Sequence, residues 1–222
     1  MQKHTSSSFK WILPDLDAQN YLLSSVRTRA DFGFTVGASP ALISYIIETT
    51  RLSFKVLSDG LEAHHDAINM LYQQLQGSDR QDRCGKNLVL LHHQIFELGA
   101  IIYFHRSIHN SPPQTLKAYL EELLQHLKRY RDLGGGYVTL WPVFIAAVEA
   151  YQEDHKVGFR EWLDDNDKMG AASRGDIRKV IEAVWEKRTS LGQQICHRVD
   201  QGEIVVDWKE VMYERGLDIL LV

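Results

Sequence analysis

NLVLLHHQIFELGAIIYFHRSIH, residues 87–109, carries apolar side chains all the way round a helical projection. Leu88, Val89, Leu90, Leu91, Ile95, Phe96, Leu98, Ile101, Ile102, Phe104 and Ile108 leave no wide polar face. A helix apolar on every side has to be covered by several neighbours, so residues 86–110 are expected to form the central helix of a helical domain. At ~1.5 Å per residue it extends roughly 35 to 40 Å. His92, His93, Gln94, Glu97, His105 and Arg106 interrupt it too often for a membrane span.

Working outward, Ser39-Pro40 supplies an N-cap and a helix-starting proline to a helix reaching about Leu57. Residues 61–75 place Ile68, Leu71, Tyr72 and Leu75 on one stripe and stop at Gly77, and 78–83 read as a loop. Beyond the central helix, Ser111-Pro112-Pro113 turns the chain into an amphipathic helix on Leu116, Leu120, Leu123, Leu124 and Leu127. The short link makes the two helices antiparallel. Gly134-Gly135-Gly136 ends the second, and Trp141-Pro142 opens another strongly apolar helix over 140–154. A short helix over 157–163, a polar loop over 164–175 and a helix over 177–193 burying Ile177, Val180, Ile181, Val184 and Trp185 follow. The apolar tail, 217–222, is expected to dock, because it would otherwise form an exposed patch. Residues 1–36 read as a polar segment with a short helix over 15–29, and 37–222 as the helical domain. Ile204-Val205-Val206 alone cannot make a sheet. The fold class is all-α, an orthogonal and antiparallel bundle of helical hairpins around the central hydrophobic helix.

With 222 residues, 44% hydrophobic and 24% charged, the chain can bury one substantial core. Its formal charge of -4 argues against an extended nucleic-acid surface, which needs clustered lysine and arginine. The densest basic run, Lys128-Arg129-Tyr130-Arg131, reads as a solvated helix end. Cys84 and Cys196 lie far apart and outside any Cys/His cluster, so no structural zinc site is encoded and a reducing compartment, nuclear or cytosolic, is expected.

Reactive constellations are weakly supported. His105 and His109 have a spacing that puts two imidazoles on one helix face, but a third ligand and the glutamate of an HExxH motif are missing. Asp164-Asp165-Asn166-Asp167 invites a magnesium-diphosphate cluster without offering a second acidic motif. Read as a calcium loop, Asp165, Asp167, Gly170 and Asp176 take positions one, three, six and twelve, yet Met169 brings a thioether to position five. No GxSxG or glycine-rich phosphate loop occurs. No residue is therefore assigned to catalysis or to a metal. Arg106 and Glu149 say more, since each sits in a strongly apolar helix where an unpaired charge would cost several kcal/mol. They are expected to be buried near each other or near other polar partners and to fix helix register; projection to solvent from the helix rim is the alternative. Phe96, Tyr103, Phe104, Trp141 and Phe144, beside the small Ala100, Ala146 and Ala147, form a candidate ligand pocket between the two greasiest helices.

Several of these segments resemble a known family when taken together. Val36-Gly37-Ala38-Ser39-Pro40, residues 102–109 (IYFHRSIH), residues 141–150 (WPVFIAAVEA) and Val184-Trp185 occur in the order found in the regulatory domain of fungal-specific transcription factors, the helical part C-terminal to a zinc binuclear cluster. The likeness spans about residues 37–222. It implies a nuclear regulator of RNA polymerase II transcription, controlled by a small-molecule effector, by transcriptional coregulators or by intramolecular masking; beside it, the chain is expected to be non-enzymatic, free of membrane and a possible homodimer. The six-cysteine cluster is not in this sequence, so DNA contact and zinc are implied only for a module outside it, and the chain reads as an excised regulatory half or a stand-alone relative. A stand-alone helical interaction scaffold and, more remotely, an all-helical magnesium-dependent enzyme are the alternatives.

Overall fold

The computed structural model describes residues 38–76, 88–136, 138–167, 174–194 and 199–217. The expected helix over 15–29, the loop over 78–83, the tail beyond Leu217 and both cysteines lie outside them. Among these residues the chain forms eight α-helices and no strand. The helices are α1 Pro40–Asp59, α2 His65–Gln76, α3 Leu88–His109, α4 Lys117–Asp132, α5 Leu140–Glu149, α6 Glu153–Asp167, α7 Arg174–Gln194 and α8 Trp208–Arg215; single 3-10 turns lie at Glu62–His64, Pro113–Leu116 and Gln201–Glu203. The all-α class expected from the sequence is what the chain adopts.

The central helix α3 packs against α1, α4 and α5, which is why it needs no polar face. Leu91, Ile95, Leu98 and Ile102 face a core shared with α4 to α8. Phe96, Ala100, Ile101, Phe104 and Ile108 face a second core shared with α1 and α2. By length and composition α3 could cross a bilayer, but most of it is buried by other helices of the same fold. It is a core helix.

Local sequence sets several of the boundaries. The Ser39 side chain accepts from the Leu42 N–H at 3.2 Å and Pro40 takes the first helical position, so α1 begins where capping chemistry puts it. After α4, Gly134 supplies the left-handed conformation, φ +75°, that closes the helix.

Several boundaries differ from those expected: α2 begins at His65 after a 3-10 turn rather than at Leu61, α7 begins at Arg174 rather than at Ile177, and two further differences have a visible cause. The Trp141-Pro142 helix, expected to run to 154, ends at Glu149. Its terminal carbonyls are taken by side chains from α7: Trp185 Nε1 donates to Ala147 O at 2.8 Å, and Arg188 donates to Val148 O and Ala150 O, each at 3.0 Å. A helix whose last carbonyls are capped from outside has no need of another turn. The second difference is at α6, which begins at Glu153 and runs on through Asp164-Asp165 to Asp167. Carboxylates near a helix C-terminus are unfavourable, but Asp164 receives Arg178 Nη2 at 2.7 Å and Asp165 receives Arg131 Nη1 at 3.0 Å. These cross-helix cations keep the acidic run helical.

Candidate functional site

Where α3 ends, α5 stops and α7 passes beneath, three charged side chains meet in the core. Arg106 Nε donates to Glu149 Oε1 at 2.7 Å, and Arg188 Nη2 donates to Glu149 Oε2 at 3.3 Å. Arg106 also donates through Nη1 to Asn110 Oδ1 and Ser111 O, and through Nη2 to Val206 O. Arg188 is wholly buried, and its remaining donors go to Ile204 O, Ala150 O and Val148 O. Burial pulls its guanidinium below the usual arginine range while the Glu149 carboxylate pushes it back up; an arginine stays charged throughout. One carboxylate thus ties two arginines together, joining the ends of α3 and α5, the middle of α7 and the strand-like segment before α8.

Arg106 and Glu149 are accordingly direct neighbours. Arg188 was not singled out from the sequence, although its signal was there. It continues the buried stripe Ile177, Ile181, Val184, Trp185 at helical spacing, and a charge on such a stripe must enter the core with it. His92 is a second such residue: its Nε2 accepts the Thr139 backbone N–H at 3.1 Å and thereby fixes how the chain enters α5.

The arginine-glutamate network floors a cleft of about 510 Å³. Its walls come from the last turns of α1 (Phe54, Val56, Leu57), from α3 (Tyr103, Ile108), from α5 (Ile145, Val148) and from Trp208 of α8. Leu57 is 85% exposed and Phe54 40%, so one side of the rim is apolar, while Asp207 and Lys209 bring charges to the other. Because every charged atom of the floor already has a partner, an apolar group could enter without stripping water from an unpaired ion.

The five aromatic residues expected to line one pocket are divided by the structure. Phe96 stacks on Trp141 with ring centroids 5.4 Å apart, and Tyr103 meets Trp141 edge-on at 5.7 Å. Tyr103 also shares a hydrogen bond of 3.0 Å with Thr50. Phe104 packs between Tyr45 and Tyr72, at 6.0 and 5.5 Å, in the α1 and α2 core. Phe144 lies in the other core, edge-on to Trp208 at 5.1 Å. Of the five, only Tyr103 lines the cleft over the charge network. Ring-on-ring packing occupies the space between the others.

His105 and His109 have ring centroids 5.9 Å apart, and no group of three or more metal-binding side chains forms among the described residues. His105 Nε2 is buried without a hydrogen-bond partner among those residues. Burial holds His92, His105, His109 and His126 below the usual histidine range, and the neighbouring His109 lowers His105 further. As pH falls through about 6.5 the unfolded chain takes up protons that the folded chain refuses. Stability should therefore drop between pH 7.5 and 5.5 and level off only below the folded-state values. The urea midpoint at the two pH values checks this, with His105→Asn removing part of the slope; a midpoint unchanged by pH would contradict burial of these rings in their neutral form.

The family model for the fungal specific transcription factor domain matches residues 5–222. The chain belongs to that family, and its role is in the regulation of transcription. No curated protein and no solved structure matches the chain.

Proposed function

We propose that this chain is the non-enzymatic regulatory part of a zinc-cluster transcription factor, acting in the nucleus at RNA polymerase II promoters, with DNA contact and zinc supplied by a separate module. The family match along residues 5–222 carries this reading. The cleft beside the charge network supports a place for regulation to act. Its occupant on this reading is an apolar segment of a coregulator protein, anchored against Leu57 and Phe54 above a neutralised floor. The aromatic side chains of the core are taken up by packing, and a small-molecule effector would bind elsewhere in the fold.

The test joins the chain to a heterologous DNA-binding module in a fungal host and reads a reporter gene. Leu57→Asp should shift reporter output several-fold while leaving the melting temperature within about a degree, because an exposed side chain contributes little to the core. Unchanged output from both Leu57→Asp and Phe54→Asp would remove the cleft from the mechanism. A fused chain that never alters transcription would favour the stand-alone scaffold.

A further inference from the structure

The arginines around α5, α6 and α7 have carboxylate partners. Glu149 serves Arg106 and Arg188, and Glu153 Oε1 receives Arg160 Nη1 at 2.7 Å. Lys156, in the first turn of α6, is only 7% exposed, yet its ammonium makes no hydrogen bond or ion pair among the described residues. Its neighbour is the Trp185 ring, whose centroid lies 6.0 Å from Nζ. The sequence explains the burial. Lys156 stands three and seven positions before Phe159 and Leu163, both buried, and so rides inward on the apolar stripe of α6.

The surroundings deepen the imbalance. The Arg160 guanidinium carbon lies 5.0 Å from the same ring. Burial lowers the Lys156 ammonium below the usual lysine range; Glu153 opposes this, while the Arg188 and Arg160 charges add to it. Arg106 and Arg188 share Glu149 and Arg160 holds Glu153, which leaves the Lys156 ammonium without a carboxylate in contact. Lys156 and Arg160 open onto a cleft of about 510 Å³ between α6 and α7, where Ser190 and Gln193 add neutral polar groups. Glu182 and Glu186 also line it, but they are engaged by Arg178 at 4.0 Å and by Arg215 at 3.2 Å.

We propose that this cleft binds a small oxyanion, the carboxylate or phosphate group of a metabolite, with Lys156 Nζ as principal contact and Arg160 beside it. The site lies apart from the coregulator cleft. An anion there supplies a contacting countercharge to the ammonium of a largely buried lysine, which gains more from it than a fully solvated one does. The proposal rests on the regulatory reading only in calling the ligand an effector. Binding is measured on the protein alone, so it can fail while the transcription assay succeeds, and the reverse.

The whole chain is titrated with sodium phosphate and with sodium succinate against sodium chloride of equal ionic strength. Melting temperature is followed together with acetylation of lysines by an N-hydroxysuccinimide ester, read by mass spectrometry. At roughly a hundredfold excess over Kd, one or both anions should raise the melting temperature by roughly 5–10 °C. The same anion should slow acetylation of Lys156 in proportion to the fraction bound, leaving the exposed Lys179 unaffected. Lys156→Met keeps the apolar stem and removes an unmatched charge, so it should fold and lose the temperature shift. A response to phosphate alone assigns a phosphorylated ligand, and to succinate alone a carboxylate. Should Lys156→Met fail to fold, the wild-type labelling decides by itself. Lys156 acetylation unchanged by both anions, or an undiminished shift in Lys156→Met, overturns the proposal.

Discussion

Replacing Glu149 with alanine should lower the stability of the domain by roughly 3–5 kcal/mol, the range seen when one partner of a buried ion pair is removed. The carboxylate is almost wholly buried and is bonded on both oxygens, to Arg106 Nε and to Arg188 Nη2. Without it, two guanidinium groups remain close together in the core with carbonyl oxygens as their only acceptors there. Arg188 cannot leave, since it also caps Val148 O and Ala150 O and holds Ile204 O. Arg106→Leu should cost less, because Glu149 then keeps one arginine. A cycle of Glu149→Ala, Arg106→Leu and the double variant should give a coupling above about 1 kcal/mol. Urea denaturation with an unchanged m-value measures it. A loss below about 1 kcal/mol for Glu149→Ala would show that the network contributes nothing beyond ordinary surface pairs.

This pair marks how far residue patterns reach. Arg106 and Glu149 stand out because each is a charge set among apolar neighbours in a strongly apolar helix, where little water is available to solvate it. The central helix is legible for a related reason: an apolar surface on every side calls for neighbours on every side, and α1, α4 and α5 supply them. What the patterns do not carry is set at long range. The end of α5 depends on Trp185 and Arg188, which lie more than thirty positions further on. The helicity of Asp164-Asp165 depends on Arg131 and Arg178, from two other helices. The aromatic pocket fails in the same way. Phe104 and Phe144 are equally apolar in sequence, but they point into separate cores on opposite sides of α3, and only the partners Tyr45 and Trp208 distinguish them.

Gly99→Ala should destabilise the protein by about 2 kcal/mol, and Gly99→Val by more than about 3 kcal/mol, although alanine favours a helix over glycine by about 1 kcal/mol. The reason is the crossing of α3 and α5. A Cβ on Gly99 would lie 2.6 Å from Pro142 Cβ and 2.7 Å from Pro142 Cα. Neither atom can swing aside, since one belongs to a ring fused to the backbone and the other is the backbone itself. The helices would have to separate, and the Phe96–Trp141 stack that bridges them would open with them. Gly175→Ala, in the first turn of α7, is the matched control: a Cβ there meets nothing within 4 Å, so propensity acts alone and the change should be neutral or stabilising. Each kcal/mol should move the melting temperature by roughly 2–4 °C in a domain of this size. If Gly99→Ala and Gly175→Ala shift it alike, the close approach of α3 and α5 does not exist in solution, and the register that brings Arg106 to Glu149 loses its steric basis.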